Sequence, residues 1–266
     1  MVASQESTEP GGEPLFELYQ CTVGEKVAFI RVNVSQHDVG IDEMRPYSLC
    51  VSTAFRKPTE DGLVTAEEFE ALSRYEDALM AALAPSVFVG VLTNDGQRMW
   101  YFYTDDPDRD AELAREVAGR ELSGYEVEAE SFEDPEWRQY HEFLYPNDLA
   151  WQWIQDRRVL VALEQHGDQS DIPRSIDHYA YFPTRRARRA YLKELVKRGY
   201  REGDESSSGG EPPNKYGLHF LRSEPEAPAD IFPRSEKLLL LAQEHDGVYD
   251  GWGCTVVKAE GAESSE

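Results

Sequence analysis

A chain of 266 residues with 40% hydrophobic and 11% aromatic content has enough apolar side chain for a packed core, in one large domain or two ordinary ones. That content excludes global disorder, and no apolar run approaches the ~20 residues that span a bilayer. The net charge of −24 is lopsided: residues 1–150 carry 31 acids and 11 bases, residues 151–266 carry 20 and 16, so only the second half can approach a polyanion.

The N-terminal MVASQESTEPGGEP has neither a basic start nor an apolar core, so it reads as an acidic tail over residues 1–13 and not as a secretory signal. LFELYQC and VAFIRVNV are strands parted by a turn at Gly24, and SLCVSTAF (48–55) is a third strand. Thr65 with Glu68 three residues on forms a capping box, opening a helix with apolar residues at Phe69, Leu72, Tyr75, Leu79 and Leu83, stopped by Pro85. VFVGVLTNDGQRMWYFY is a hairpin turning at Asp95-Gly96. Thr104 and Pro107 open a second helix whose positive end is crowded by Asp105, Asp106, Asp108, Asp110 and Glu112; the run lacks the turn glycine of a calcium loop, so the helix N-terminus explains it. YEVEAESF (125–132) closes a β-α-β-β-α-β unit.

Residues 134–167 read as a helical bridge broken near Pro146. The same element order then returns. SIDHYAYF is a strand; TRRARRAYLKELVKRG is a helix from Thr184 to Gly199; Tyr200–Gly203 is an edge strand; residues 203–215 are a polar loop; YGLHFLRS is a strand; DIFPRSEKLLLLAQEH is a helix; VYDGWGCTVVK is the last strand. The expected fold is α+β: two ferredoxin-like domains, residues 14–133 and 168–258, each an antiparallel sheet with helices on one face, joined by the bridge and followed by a second acidic tail at 259–266.

Few residue patterns carry chemistry. Cys21, Cys50 and Cys254 are far apart, odd in number and in no C-x-x-C, which points to a reduced, cytoplasmic setting without disulfides or zinc. Glu244, His245, Asp246 and Asp250 in EHDGVYDGW lack the spacing of a metal cage. Gly247 as a left-handed helix stop and Asp250-Gly251 as a kink in the last strand account for the stretch, with Trp252 as a packing or interface anchor. Asp177, His178 and His219 can form an acid–base constellation if their strands are neighbours, but no nucleophile accompanies them, and Asp177 and His178 point to opposite faces of one strand. No cofactor or metal site is expected.

The most informative binding feature is the helix 184–199. Ala187, Tyr191, Leu192, Leu195 and Val196 form its apolar seam, and Arg185, Arg189, Lys193 and Lys197 recur every four residues on the other side. Like charges at that spacing repel by a few tenths of a kcal/mol per pair. The stripe suits an anionic partner, a solvated face, or neutralisation by the acidic first half. Tyr179 and Tyr181 share the sheet face away from the helices. KYGLHFL imitates the aromatic RNA-binding strand only poorly, so a protein or the other domain is a better match for that face than RNA.

RSIDHYAYF (174–182), KRGY (197–200) and VYDGW (248–252) resemble the regulator of ribonuclease E activity B family. RPYSLCVS (45–52), DGLVTAEEFEALSRYEDAL (61–79), FVGVLTNDGQRMWYFY (88–103) and HEFLYP (141–146) resemble a domain family of unknown function found fused upstream of it. The resemblance implies a protein inhibitor that binds the ribonuclease directly and has no catalytic residues. The chain departs from it in carrying a whole extra domain, and in diluting the expected acidic loop to ESSSGGEPPNK. The resulting expectation is a non-enzymatic cytoplasmic regulator acting through protein contact, possible contact residues being Arg185, Arg189, Lys193, Lys197, Tyr179, Tyr181, Asp250 and Trp252. Two other readings stay open: a nucleic-acid-binding module using residues 185–197, and an enzyme built on Asp177, His178 and His219.

Overall fold

A computed structural model describes residues 13–203 and 213–258; both acidic tails, apart from Glu13, and most of the polar loop lie outside the described residues. The chain forms two compact units, Met1–Asn147 and Asp148–Glu266.

The first unit is built on strands β1 (Phe16–Val23), β2 (Lys26–Asn33), β3 (Tyr47–Ala54), β4 (Val87–Asn94), β5 (Gln97–Thr104) and β6 (Val127–Glu133). Helices α1 (Gln36–Val39), α2 (Ala66–Leu83) and α3 (Pro107–Glu121) connect them. The sheet order is β1-β2-β4-β5-β3-β6, with antiparallel pairing throughout. The connection through α2 passes over β5 and that through α3 passes over β3, which is the split β-α-β arrangement; the β1–β2 hairpin extends the sheet beyond β4. The Asp95-Gly96 turn has both residues left-handed, at φ 46° and 78°, as a two-residue hairpin of matching twist requires.

Strand β5 is buried on both faces. Trp100 and Phe102 pack under α2 and α3 with Leu49, Val51, Leu72, Tyr75, Leu79 and Val117. Their neighbours Tyr101 and Tyr103 point to the other face, where the turn of wide helix at Gln139–Leu144 lies. There Tyr103 stacks on Trp137 at 3.9 Å and donates to Asp134 Oδ2 at 2.6 Å, while Tyr140 donates to the Asn33 carbonyl at 2.7 Å. The segment after β6 thus adds cover on the face away from α2 and α3. The stretch 134–167 is also divided, its first part completing the first unit and its second part forming α4 (Asp148–Gln165) of the second.

Tertiary partners override two local expectations along α2. Thr65 stands at the N-cap without a side-chain hydrogen bond, and Glu68 turns away to accept from the Arg56 and Lys57 amides and the Tyr125 hydroxyl at 2.7–3.0 Å. Phe69, expected in the apolar seam, is exposed beneath the Arg98 guanidinium. About two turns further along α2, buried Glu76 takes Arg31, Arg98 at 3.1 Å and the Trp100 indole at 2.8 Å. In α3, Asp106 caps the Arg109 amide, and Asp110 is fully buried, accepting from Ser86 at 2.5 Å and Thr104 at 2.7 Å.

The second unit contains β7 (Ile176–Phe182), α5 (Arg185–Lys197), β8 (Tyr200–Glu202), β9 (Tyr216–Arg222), α6 (Phe232–Gln243) and β10 (Val248–Cys254), with sheet order β10-β7-β9-β8 and every pairing antiparallel. This is the split β-α-β order again. Ala180, Phe182, Leu218, Phe220 and Tyr249 from the sheet meet Tyr191 and Leu195 of α5 and Leu238, Leu239 and Ala242 of α6. Among the described residues no helix is long and apolar enough to cross a membrane.

Candidate functional site

Strict alternation along β7 sorts its side chains. His178, Ala180 and Phe182 are buried on the helix side; Asp177, Tyr179 and Tyr181 are half-buried on the other. Register places His219 of β9 directly opposite Tyr179. The His219 ring stacks on Tyr179 at 5.2 Å, and its Nε2 lies 2.8 Å from Asp177 Oδ1. Gly203 closes over the ring so tightly that a Cβ there would come within 2.2 Å of Nδ1. Across the strand, β10 presents Gly251 opposite Tyr179 and Gly253 opposite Asp177.

The three-residue constellation of Asp177, His178 and His219 therefore does not assemble. Asp177 and His219 pair on one face, while His178 is fully buried on the other. His178 stacks on Phe220 at 5.3 Å, and its Nδ1 lies 2.8 Å from the Tyr249 hydroxyl. Its Nε2 faces Glu226 Oε2 at 3.9 Å, and neither atom has a hydrogen-bond partner. Burial pushes the His178 imidazole below its ordinary pKa, against the raising influence of Glu226. Burial works to raise the Glu226 carboxyl, but His178, Arg222 and Arg234 together hold it below the usual carboxylate range. The other Glu226 oxygen accepts from Arg222 at 2.9 Å and pairs with Arg234 at 3.2 Å.

EHDGVYDGW resolves into backbone geometry. The left-handed residue is Asp246 (φ 56°), not Gly247; the Gly247 amide returns to the Ala242 carbonyl at 2.8 Å. Glycine is needed at 247 because a Cβ would come within 2.2 Å of the Phe182 ring. The kink expected at Asp250-Gly251 is present as a register shift in β10, with Gly251 at φ 105° and Asp250 exposed. Trp252, expected as a packing or interface anchor, is buried against Leu163, Ile176 and Ile231. Its indole donates to Asp156 Oδ1 at 2.9 Å. Asp156 also takes Gln152 at 2.7 Å and the Ser235 hydroxyl, and burial pushes its pKa up. Sequence reasoning missed this knot because Asp156 sits unremarkably in a helix whose partners lie about 80 to 100 residues away.

Helix α5 begins where Thr184 Oγ1 accepts the Ala187 amide at 3.1 Å and ends before Gly199, at φ 84°. Tyr191 and Leu195 are fully buried. Val196 leaves the expected seam and is 59% exposed. Arg185, Arg189, Lys193 and Lys197 are all exposed. Arg185 lies over the Tyr216 ring at 5.6 Å, and Lys197 reaches Glu194 at 2.5 Å. This cationic face lies on the helix side of the sheet, and Tyr179 and Tyr181 lie on the other, so these two groups of predicted contact residues do not share a surface. Among the described residues no group of three or more His, Cys, Asp or Glu side chains is placed to hold a metal ion.

Comparison with known proteins adds family information. No curated protein matches the chain. A crystal structure of an unknown protein from Galdieria sulphuraria aligns with 79% of this chain and 99% of its own at 12% identity, with a TM-score of 0.21. Residues 16–145 match the model of a family of unknown function, DUF695, and residues 153–254 match that of regulator of ribonuclease activity B. Along the chain, a segment similar to DUF695 is thus followed by one similar to the regulator of ribonuclease activity B family.

Proposed function

We propose that this chain is a non-enzymatic cytoplasmic regulator that binds an RNA-degrading enzyme of the ribonuclease E type and lowers its activity. The observation that carries this reading is the family match over residues 153–254, which takes in the whole β-α-β-β-α-β unit from β7 to β10. Two features of the site support it. The ionisable groups most suited to catalysis are engaged: His178 inside the core, and His219 between Tyr179, Asp177 and Gly203. The net charge of −24 also gives the chain the sign of RNA, so its acids compete for the basic surfaces with which a ribonuclease holds its substrate.

Immobilised full-length chain, exposed to lysate and washed at physiological salt, is expected to retain a ribonuclease identifiable by mass spectrometry. Absence of any ribonuclease, with the bait shown to be folded, would sink the proposal. RNA retained in its place would favour the nucleic-acid reading.

A further inference from the structure

We infer that the exposed face of α5 is a docking surface for an acidic segment of a protein partner, an assignment that rests on the protein-contact reading above. Over ~20 Å of helix, Arg185, Arg189, Lys193 and Lys197 recur at about one-turn intervals, and all are exposed. The fold itself does not need them. Tyr191 and Leu195 anchor the helix from the other side, and like charges at this spacing repel. Arg185, Arg189 and Lys193 have no ion-pair partner among the described residues; the one acid on the helix, Glu194, is taken by Lys197 and Arg198. The stripe reverses the sign of a chain at −24. Val196, 59% exposed, provides an apolar foothold between Lys193 and Lys197.

Charge complementarity selects an anion, and the arrangement of aromatics favours carboxylates over RNA. Single-stranded RNA is held by cations beside stacking rings. Here Tyr179 and Tyr181 lie on the opposite side of the sheet from α5, and only Tyr216, beneath Arg185, accompanies the stripe. A partner segment with acids one helical turn apart and an apolar residue among them matches both the cations and Val196.

The test uses purified full-length chain without any ribonuclease, so its failure is separable from failure of the regulatory reading. Fluorescence anisotropy is read with a short labelled poly-L-glutamate and with an oligouridylate of equal length, at low and physiological salt. The variant R185Q/R189Q/K193Q/K197Q removes the stripe and its self-repulsion, so helicity by circular dichroism should be kept. K57Q/R74Q/R120Q/K258Q makes the same change in net charge elsewhere. Peptide binding by the native chain, weakened about tenfold or more by the first variant and kept by the second, is the expected result. The assignment is overturned if no peptide binds at low salt, if both variants lose it equally, if the oligouridylate binds more tightly through the same residues, or if the stripe instead drives salt-sensitive self-association in sedimentation.

Discussion

His178 Nε2 and Glu226 Oε2 face each other across 3.9 Å in the core of the second unit, each without a hydrogen bond. Around the imidazole stand Tyr249, Phe220 and Tyr200, with the charges of Asp177 and Arg234 farther out. Burial holds the folded-state pKa of His178 below its ordinary value, so the unfolded chain binds the extra proton first. Its contribution to stability is complete above about pH 6.5 and declines as pH falls below that value. Urea denaturation at pH 7.5, 6.5 and 5.5 should show the decline. In His178→Phe the slope over that interval should flatten, while the unpaired Tyr249 hydroxyl costs about 1–3 kcal/mol at every pH. An unchanged slope would assign the pH dependence elsewhere.

Asp156 gathers three neutral donors, from Gln152, Ser235 and Trp252. Asp156→Ala leaves those donors buried and unpaired and should destabilise the second unit by about 3 kcal/mol. Burial raises the Asp156 pKa, so its charged form is disfavoured in the fold and the stability it contributes is lost as pH rises through the folded value. Asp156→Asn should therefore cost much less, about 1 kcal/mol, and thermal melting of the two variants gives the comparison.

The end of α6 separates two glycine roles. Gly247→Ala drives a Cβ into the Phe182 ring and should cost about 1–3 kcal/mol. Asp246→Gly relieves a left-handed aspartate and should be neutral or stabilising by up to ~1 kcal/mol. Chemical denaturation of both variants checks the assignment; a loss of about 0.5–1 kcal/mol in Asp246→Gly would place residue 246 in right-handed backbone and contradict it.

In the first unit, Glu76 neutralises buried Arg98 and holds the Trp100 indole. Glu76→Ala leaves that guanidinium without its counter-charge and should destabilise the unit by about 3–5 kcal/mol, measured as a lowered urea midpoint. A loss below ~1 kcal/mol would mean that water or another acid already serves Arg98.

What the residues disclosed in advance follows a physical divide. Asp95-Gly96, Thr184 and Gly199 act through their own backbone neighbourhood, and the hairpin and helix ends stand where the sequence places them. Alternation on β7 likewise assigned Tyr179 and Tyr181 to one face and His178 to the other. Glu68 could not be read this way: a capping box and a bond to the distant Tyr125 hydroxyl compete for one carboxylate, and only the packing of β6 near α2 decides between them. Gly247 was misassigned because a close approach by Phe182, 65 residues earlier, leaves no local mark. Trp137 to Tyr145 read as helix, but nothing in that period tells which sheet face the aromatics will cover.

Titrating full-length chain into a purified ribonuclease E-type enzyme and following RNA cleavage tests protein-contact regulation most directly. The rate should fall and level off as the enzyme becomes saturated, in step with complex formation by sedimentation. A rate unchanged at saturating chain, with no complex in the same mixture, would contradict it.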